Sequence, residues 1–133
     1  MSSHYDLYKK RCDVSQMLGK TLLEVKGLDD SSDEATFICS DGSEFLMYHS
    51  QDCCESVGIS DVEGDVYDLI GMPLVVCEEV DSSDFPPPPG EYVESYTWTF
   101  YRLATTRGFV VVRWLGESNG YYGESVDFSQ VKP

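Results

Sequence analysis

Positive charge is what this chain has least of. Nine Lys and Arg stand against 24 Asp and Glu, a formal net charge of −15. Phosphate backbones repel such a chain unless its few cations gather on one face, so direct nucleic-acid binding is not expected. No apolar run approaches the roughly 18 residues that a membrane-crossing helix needs, so no membrane span is expected. The opening stretch, MSSHYDLYKKRCDVSQ, holds no apolar segment of the kind found in secretory signals. Cysteine is sparse and odd in number: Cys12, Cys39, Cys53, Cys54 and Cys77. An odd count without a signal argues for free thiols in a reducing cytosol, and adjacent Cys53 and Cys54 make a poor disulfide. Phosphate-loop and dinucleotide fingerprints are missing, as is a Ser-His-Asp order. No cofactor and no metal are expected.

What is present is enough for a core. The chain has 133 residues, 41% of them hydrophobic, which reads as one globular domain over 1–133. Residues 1–12 read as a flexible arm. Residues 81–94 contain Pro86 to Pro89 and read as a stiff, exposed, proline-rich loop, because four prolines cannot join a central ladder.

Strands are expected at 21–25, 34–40, 43–49 and 74–80, with three more in the stretch from Tyr96 to Phe128. Short helices are expected at 14–18 after Asp13, at 51–57 after Ser50 and at 65–70 before Gly71 and Pro73. The expected class is α+β, mainly β: an antiparallel sheet of about seven strands, a C-terminal three-stranded meander, and two or three short helices. Asp41-Gly42 signals a two-residue hairpin turn, which sets Ile38 against Phe45, Phe37 against Leu46 and Glu34 against His49. A three-residue loop at Ser118-Asn119-Gly120 sets Val112 against Val126 and Val110 against Phe128. It also puts Arg113 opposite Ser125, with Asp127 diagonal to it. At Thr106-Arg107-Gly108, loops of two, three or four residues remain open.

Two groups of residues carry possible chemistry. Arg113 sits mid-strand in VVVRWLG, and a cation there must be paired or face a ligand. An ion pair with Asp127 is one reading. The other is a ligand site in which Trp114, Asn119, Tyr121 and Tyr122 form an aromatic rim, with Arg102, Ser125 and Asp127 close by. Arginine with aromatics can hold a nucleotide by phosphate contact and stacking. The second group is His49, Asp52, Cys53, Cys54 and Glu55 in YHSQDCCES, with Glu34 as the expected partner of His49. A metal site or Cys–His nucleophile is conceivable there. Adjacent cysteines, however, lack the spacing of zinc motifs, and the surrounding acids oppose a lowered thiol pKa. The bland reading is that the cysteines pack a short helix on the sheet while His49 pairs with Glu34.

The blocks GKTLLEV, MYHSQDCCESV, GDVYDLIGMPL, SYTWTFYRLAT and RWLGESNGYYGESVDF resemble a family of short bacteriophage and prophage proteins that share HSQDCCE, TWTFY and SNGYY and whose domain has no known function. The resemblance spans residues 18 to 128. It implies a phage accessory protein acting in the bacterial host cytoplasm. The function expected is non-enzymatic binding, as a host-defence antagonist that sequesters a small nucleotide-like signal. Alternatives are an acidic nucleic-acid mimic that inhibits a basic host protein, and a small metal- or cysteine-dependent enzyme. A sheet edge leaves homo-oligomerisation possible.

Overall fold

Glycines and small polar residues cut the chain into short extended runs, which β-branched and aromatic residues fill. The computed structural model describes residues 9–82 and 95–133. Among the described residues nine strands are formed: β1 (Lys10–Arg11), β2 (Leu22–Lys26), β3 (Glu34–Cys39), β4 (Glu44–Tyr48), β5 (Ser56–Glu63), β6 (Val76–Ser82), β7 (Ser95–Thr105), β8 (Gly108–Ser118) and β9 (Asp127–Lys132). They make two antiparallel sheets, ordered β1-β9-β4-β3-β2 and β5-β8-β7-β6.

Alternation along each strand sends one set of side chains inward. Ala35, Phe37, Phe45, Met47 and Phe128 come from the five-stranded sheet, and Tyr101, Leu103, Val110, Val112 and Trp114 from the four-stranded one. All lie in a single buried cluster, so the inner faces share one core. Phe45 and Phe128 stack with centroids 5.6 Å apart. Trp114 is fully buried, and its Nε1–H points at Met47 Sδ, 3.3 Å away, across the two sheets.

The expected helices are corrected. Among the described residues, helical structure is confined to two 3-10 turns of four residues, Val14–Met17 and Val66–Leu69. Asp13 and Asp65 do cap them, accepting from the amides of Ser15 and Tyr67. Each turn nonetheless ends within a few residues, at Gly19 and Gly71. The helix expected at 51–57 does not form. The amides of Asp52 and Cys53 donate to the Glu55 carboxylate instead of starting a helix, and Val57 and Ile59 point into the core from β5. The count of about seven strands in one sheet becomes nine in two, the additions being β1 and β5. Lys10 and Arg11, placed by the sequence in a loose arm, pair with Gln130 and Ser129. The rest of that arm, residues 1–8, and the proline-rich stretch 83–94 lie outside the described residues. No described helix is long and apolar enough to cross a membrane.

Two registers also change. In the first hairpin Phe37 faces Phe45 and Ala35 faces Met47, one residue away from the expected pairing. The loop holds three residues rather than two. Gly42 N–H donates to the Cys39 carbonyl, and Gly42 has φ of +93°, a left-handed position that a type I turn with a bulge requires. Asp41 locks the turn by accepting from both the amide and the hydroxyl of Ser43. The shift collects the large apolar residues on the inner face and leaves Leu46, Tyr48 and Val131 as a small outer cluster.

The C-terminal meander is the larger correction. β7 and β8 form the expected hairpin, closed by the two-residue turn Thr106-Arg107 between Thr105 and Gly108. β9 does not pair with β8. It crosses to the other sheet, between β1 and β4, and β5 occupies the free side of β8. The crossing passes over Gly116, where an added Cβ would sit 2.4 Å from the carbonyl oxygen of Glu124. That approach admits only glycine.

Trp114→Ala is expected to cost about 3–5 kcal/mol of stability, read from denaturant melts, because it empties the middle of the shared core.

Candidate functional site

Arg113 and Arg102 stand on the outer face of the four-stranded sheet, and each meets a carboxylate from the neighbouring strand. Arg113 Nη2 lies 2.7 Å from Asp61 Oδ2 of β5, its register partner. Its guanidinium sits 5.8 Å from the centroid of the Trp98 ring. The cleft beside it, between Asp61, Glu63, Phe100 and Val111, measures only about 80 Å3. Arg102 pairs with Glu78 of β6 at 3.2 Å.

The remaining residues of the proposed aromatic site do not converge on Arg113. Trp114 faces the opposite way, into the core. Asn119 and Tyr121 belong to the loop after β8, where the Asn119 side chain accepts from the Tyr121 amide. Tyr121 is exposed and meets Tyr122 edge-on at 4.9 Å. Asp127 is buried in the five-stranded sheet; it pairs with Arg11, not Arg113, and accepts from the Ser50 amide. The backbone carbonyl of Ser125 receives a hydrogen bond from His49. Ser125 and Asp127 therefore belong with the second group of residues.

That second group is built around Glu55, which the sequence placed in the cluster but did not pair with His49. His49 bonds the Glu55 carboxylate through Nε2 at 2.7 Å and the Ser125 carbonyl through Nδ1 at 2.6 Å. Both partners are acceptors, so an imidazolium with a proton on each nitrogen satisfies both. The expected partner, Glu34, is instead exposed opposite Tyr48. The Glu55 carboxyl is drawn down to about 2, chiefly by the His49 hydrogen bond. Burial opposes this shift, and the amides of Cys53 and Asp52 add to it. With three donors on its two oxygens, this carboxylate is a fastener rather than a base. Cys53 and Cys54 are bonded to each other, contrary to the expected free thiols, and lie exposed beside Asp52. Cys12, Cys39 and Cys77 are thiols. Burial raises all three, Cys77 to about 12, so none offers a thiolate near neutral pH. No cluster of three or more His, Cys, Asp or Glu among the described residues could hold a metal ion.

Two adjoining concave surfaces lie elsewhere, beside the end strand β2. A groove of about 390 Å3 runs between β2 and the Val66–Leu69 turn, and a second of about 320 Å3 adjoins it. They share Leu28, Asp29 and Val66. Their walls carry Glu24, Asp29, Asp30 and Asp61 and no Lys, Arg or His.

Against known families, one described as a domain of unknown function (DUF7448) matches residues 15–128. The chain belongs to the DUF7448 family. No curated protein and no solved structure matches it. The DUF7448 match takes in the His49–Glu55 node, the outer-face arginines and both acidic grooves. It stops before the last residues of β9.

Glu124 is a second buried carboxylate that the sequence reading passed over. Burial works against its ionised form. The hydroxyls of Ser118, Ser95 and Thr97 outweigh that and hold its carboxyl below the usual range. Gly116, lying inside a strand, was the signal for this close approach. The grooves left only weaker traces, in the run Asp29 to Asp33 and in the capping Asp65.

Two outcomes are expected. In a double-mutant cycle, Arg113→Ala with Asp61→Ala should show a coupling of about 0–1 kcal/mol in denaturant melts, since both partners are part-exposed. The second concerns acid. A carboxyl with a depressed folded pKa stabilises the fold above its unfolded value and loses that contribution as pH falls through the folded one. Between about 4.5 and about 2, the native chain should lose stability more steeply than Glu55→Gln.

Proposed function

We propose that this DUF7448 chain acts by binding, laying an acidic face against a basic surface of a protein partner. The observation that carries this reading is the pair of adjoining grooves walled by Glu24, Asp29 and Asp30, and by Asp61, which Arg113 already holds, with no cation in either lining. A net charge of −15 adds long-range attraction, which speeds encounter with a basic partner and fixes orientation. Sequestering a nucleotide would call for cations turned toward phosphate, whereas Arg113 and Arg102 each face a carboxylate on the adjoining strand. In this reading the chain works in a bacterial host cytoplasm as a phage-encoded antagonist, and the surface it covers otherwise holds nucleic acid. The resemblance of its HSQDCCE, TWTFY and SNGYY blocks to phage proteins supports that setting.

The test is a pull-down from bacterial lysate at low and high salt. The native chain is compared with a triple variant, Glu24→Gln, Asp29→Asn, Asp30→Asn. All three side chains are exposed, so the variant should melt like the native chain. Retention of a basic protein at low salt, lost at high salt and lost with the variant, is the expected result. If no basic protein is retained at low salt, the reading fails.

A further inference from the structure

The groove between β2 and the Val66–Leu69 turn has two features beyond charge. Its floor is apolar, with Leu28 buried beneath Val25, Val66 and Ile70. Its lips are apolar as well: Leu23 is 59% exposed and Tyr67 77% exposed among the described residues. Exposed apolar side chains that flank one concavity mark a contact surface.

The second feature is backbone. β2 is the end strand of the five-stranded sheet. Leu22 is bridged to Ile70, and the Gly71 amide donates to the Leu22 carbonyl. Beyond that point, among the described residues, Leu23 to Lys26 have no strand partner on the groove side. An open edge of this length is a template for an added strand.

We infer that this groove binds an extended, Lys- or Arg-bearing segment of the partner protein, which pairs with β2 and seats an aromatic or aliphatic side chain between Leu23 and Tyr67. The inference rests on the basic-partner reading and gives it an address. Glu24 and Asp29 in the wall, with Asp65 on the turn, would meet the segment's cations. A phosphate ligand is disfavoured by those same carboxylates. A second copy of this chain would bring another −15 to the edge. The nearby cations are Lys26 at the end of β2 and Arg107, whose guanidinium bonds the Ile70 carbonyl. Arg107 biases the segment's charges away from the Ile70 end and toward Glu24 and Asp29, between which the exposed Lys26 lies.

The probe is a blocked nonapeptide of alternating Lys and Thr with a central Phe, titrated into the isotope-labelled full chain at low salt by NMR. Amide shifts confined to Leu23–Asp29 and Val66–Ile70 are expected. Replacing the Phe by Ala, or Tyr67→Ala in the protein, should weaken binding at least about tenfold, as loss of a seated anchor does. Tyr67 is so exposed that its variant should keep the native melting temperature. If the Ala peptide binds as well as the Phe peptide, with shifts spread over all acidic surfaces, the groove inference is overturned and the basic-partner reading survives. If neither peptide binds at low salt, both are overturned. A self-associated dimer at the titration concentration, seen by sedimentation and pairing through β2, would also overturn the groove inference.

Discussion

A buried indole must place its N–H somewhere, and in this core it points at a methionine sulfur on the opposite sheet. Sulfur is a weak acceptor, so the contact Trp114–Met47 adds little by itself. Its importance is geometric. Neither sheet can bury its apolar face alone, and the indole fills the space where β4 and β8 face one another. Slipping β8 by one residue would turn Arg113 inward and Trp114 outward. Slipping β4 would replace Met47 with Leu46 and expose Phe45. The outer surface is thus fixed from inside: which arginines and acids reach solvent follows from how the core closes.

How legible this was depended on whether the cause lay nearby in sequence. The inward Trp114 and outward Arg113 follow from simple alternation in VVVRW, and the structure places them so. The turn at Asp41-Gly42 was visible, but its register was not. Apolar residues occupy both sides of β3 and β4, because Leu46 and Tyr48 form an outer cluster with Val131, so the pattern could not choose. The crossing of β9 had no local cause. Ser118-Asn119-Gly120 looks like a hairpin turn, and the partner that takes β9, β4, lies far back in the chain. Glu124 was invisible for another reason, and Glu55 was seen only as one acid of the YHSQDCCES cluster. Among 24 acids, a buried one carries no mark that separates it from the exposed majority.

The carboxylates divide into two populations. One set is tied down: Asp41 by Lys20 and Ser43, Glu55 by His49, Glu124 by hydroxyls, Asp127 by Arg11 and the Ser50 amide. These hold loops against the sheets where no helix supports them. The other set faces water around the end of β2 and the loop that follows. A net charge stated for the whole chain blurs this division, and only the second set is available to attract a partner.

The position of β9 bears on how the chain assembles during synthesis. Strands β5 to β8 are consecutive in sequence, and their sheet can close once β8 has been made. The other sheet cannot. Its second place, between β1 and β4, belongs to the last of the nine described strands. Until then β4 presents an unpaired edge, and the inner face of the second sheet lacks its cover, which prolongs exposure to aggregation. Pairing across so much sequence also slows folding. The surplus of negative charge, through mutual repulsion of nascent chains, is a safeguard during that interval.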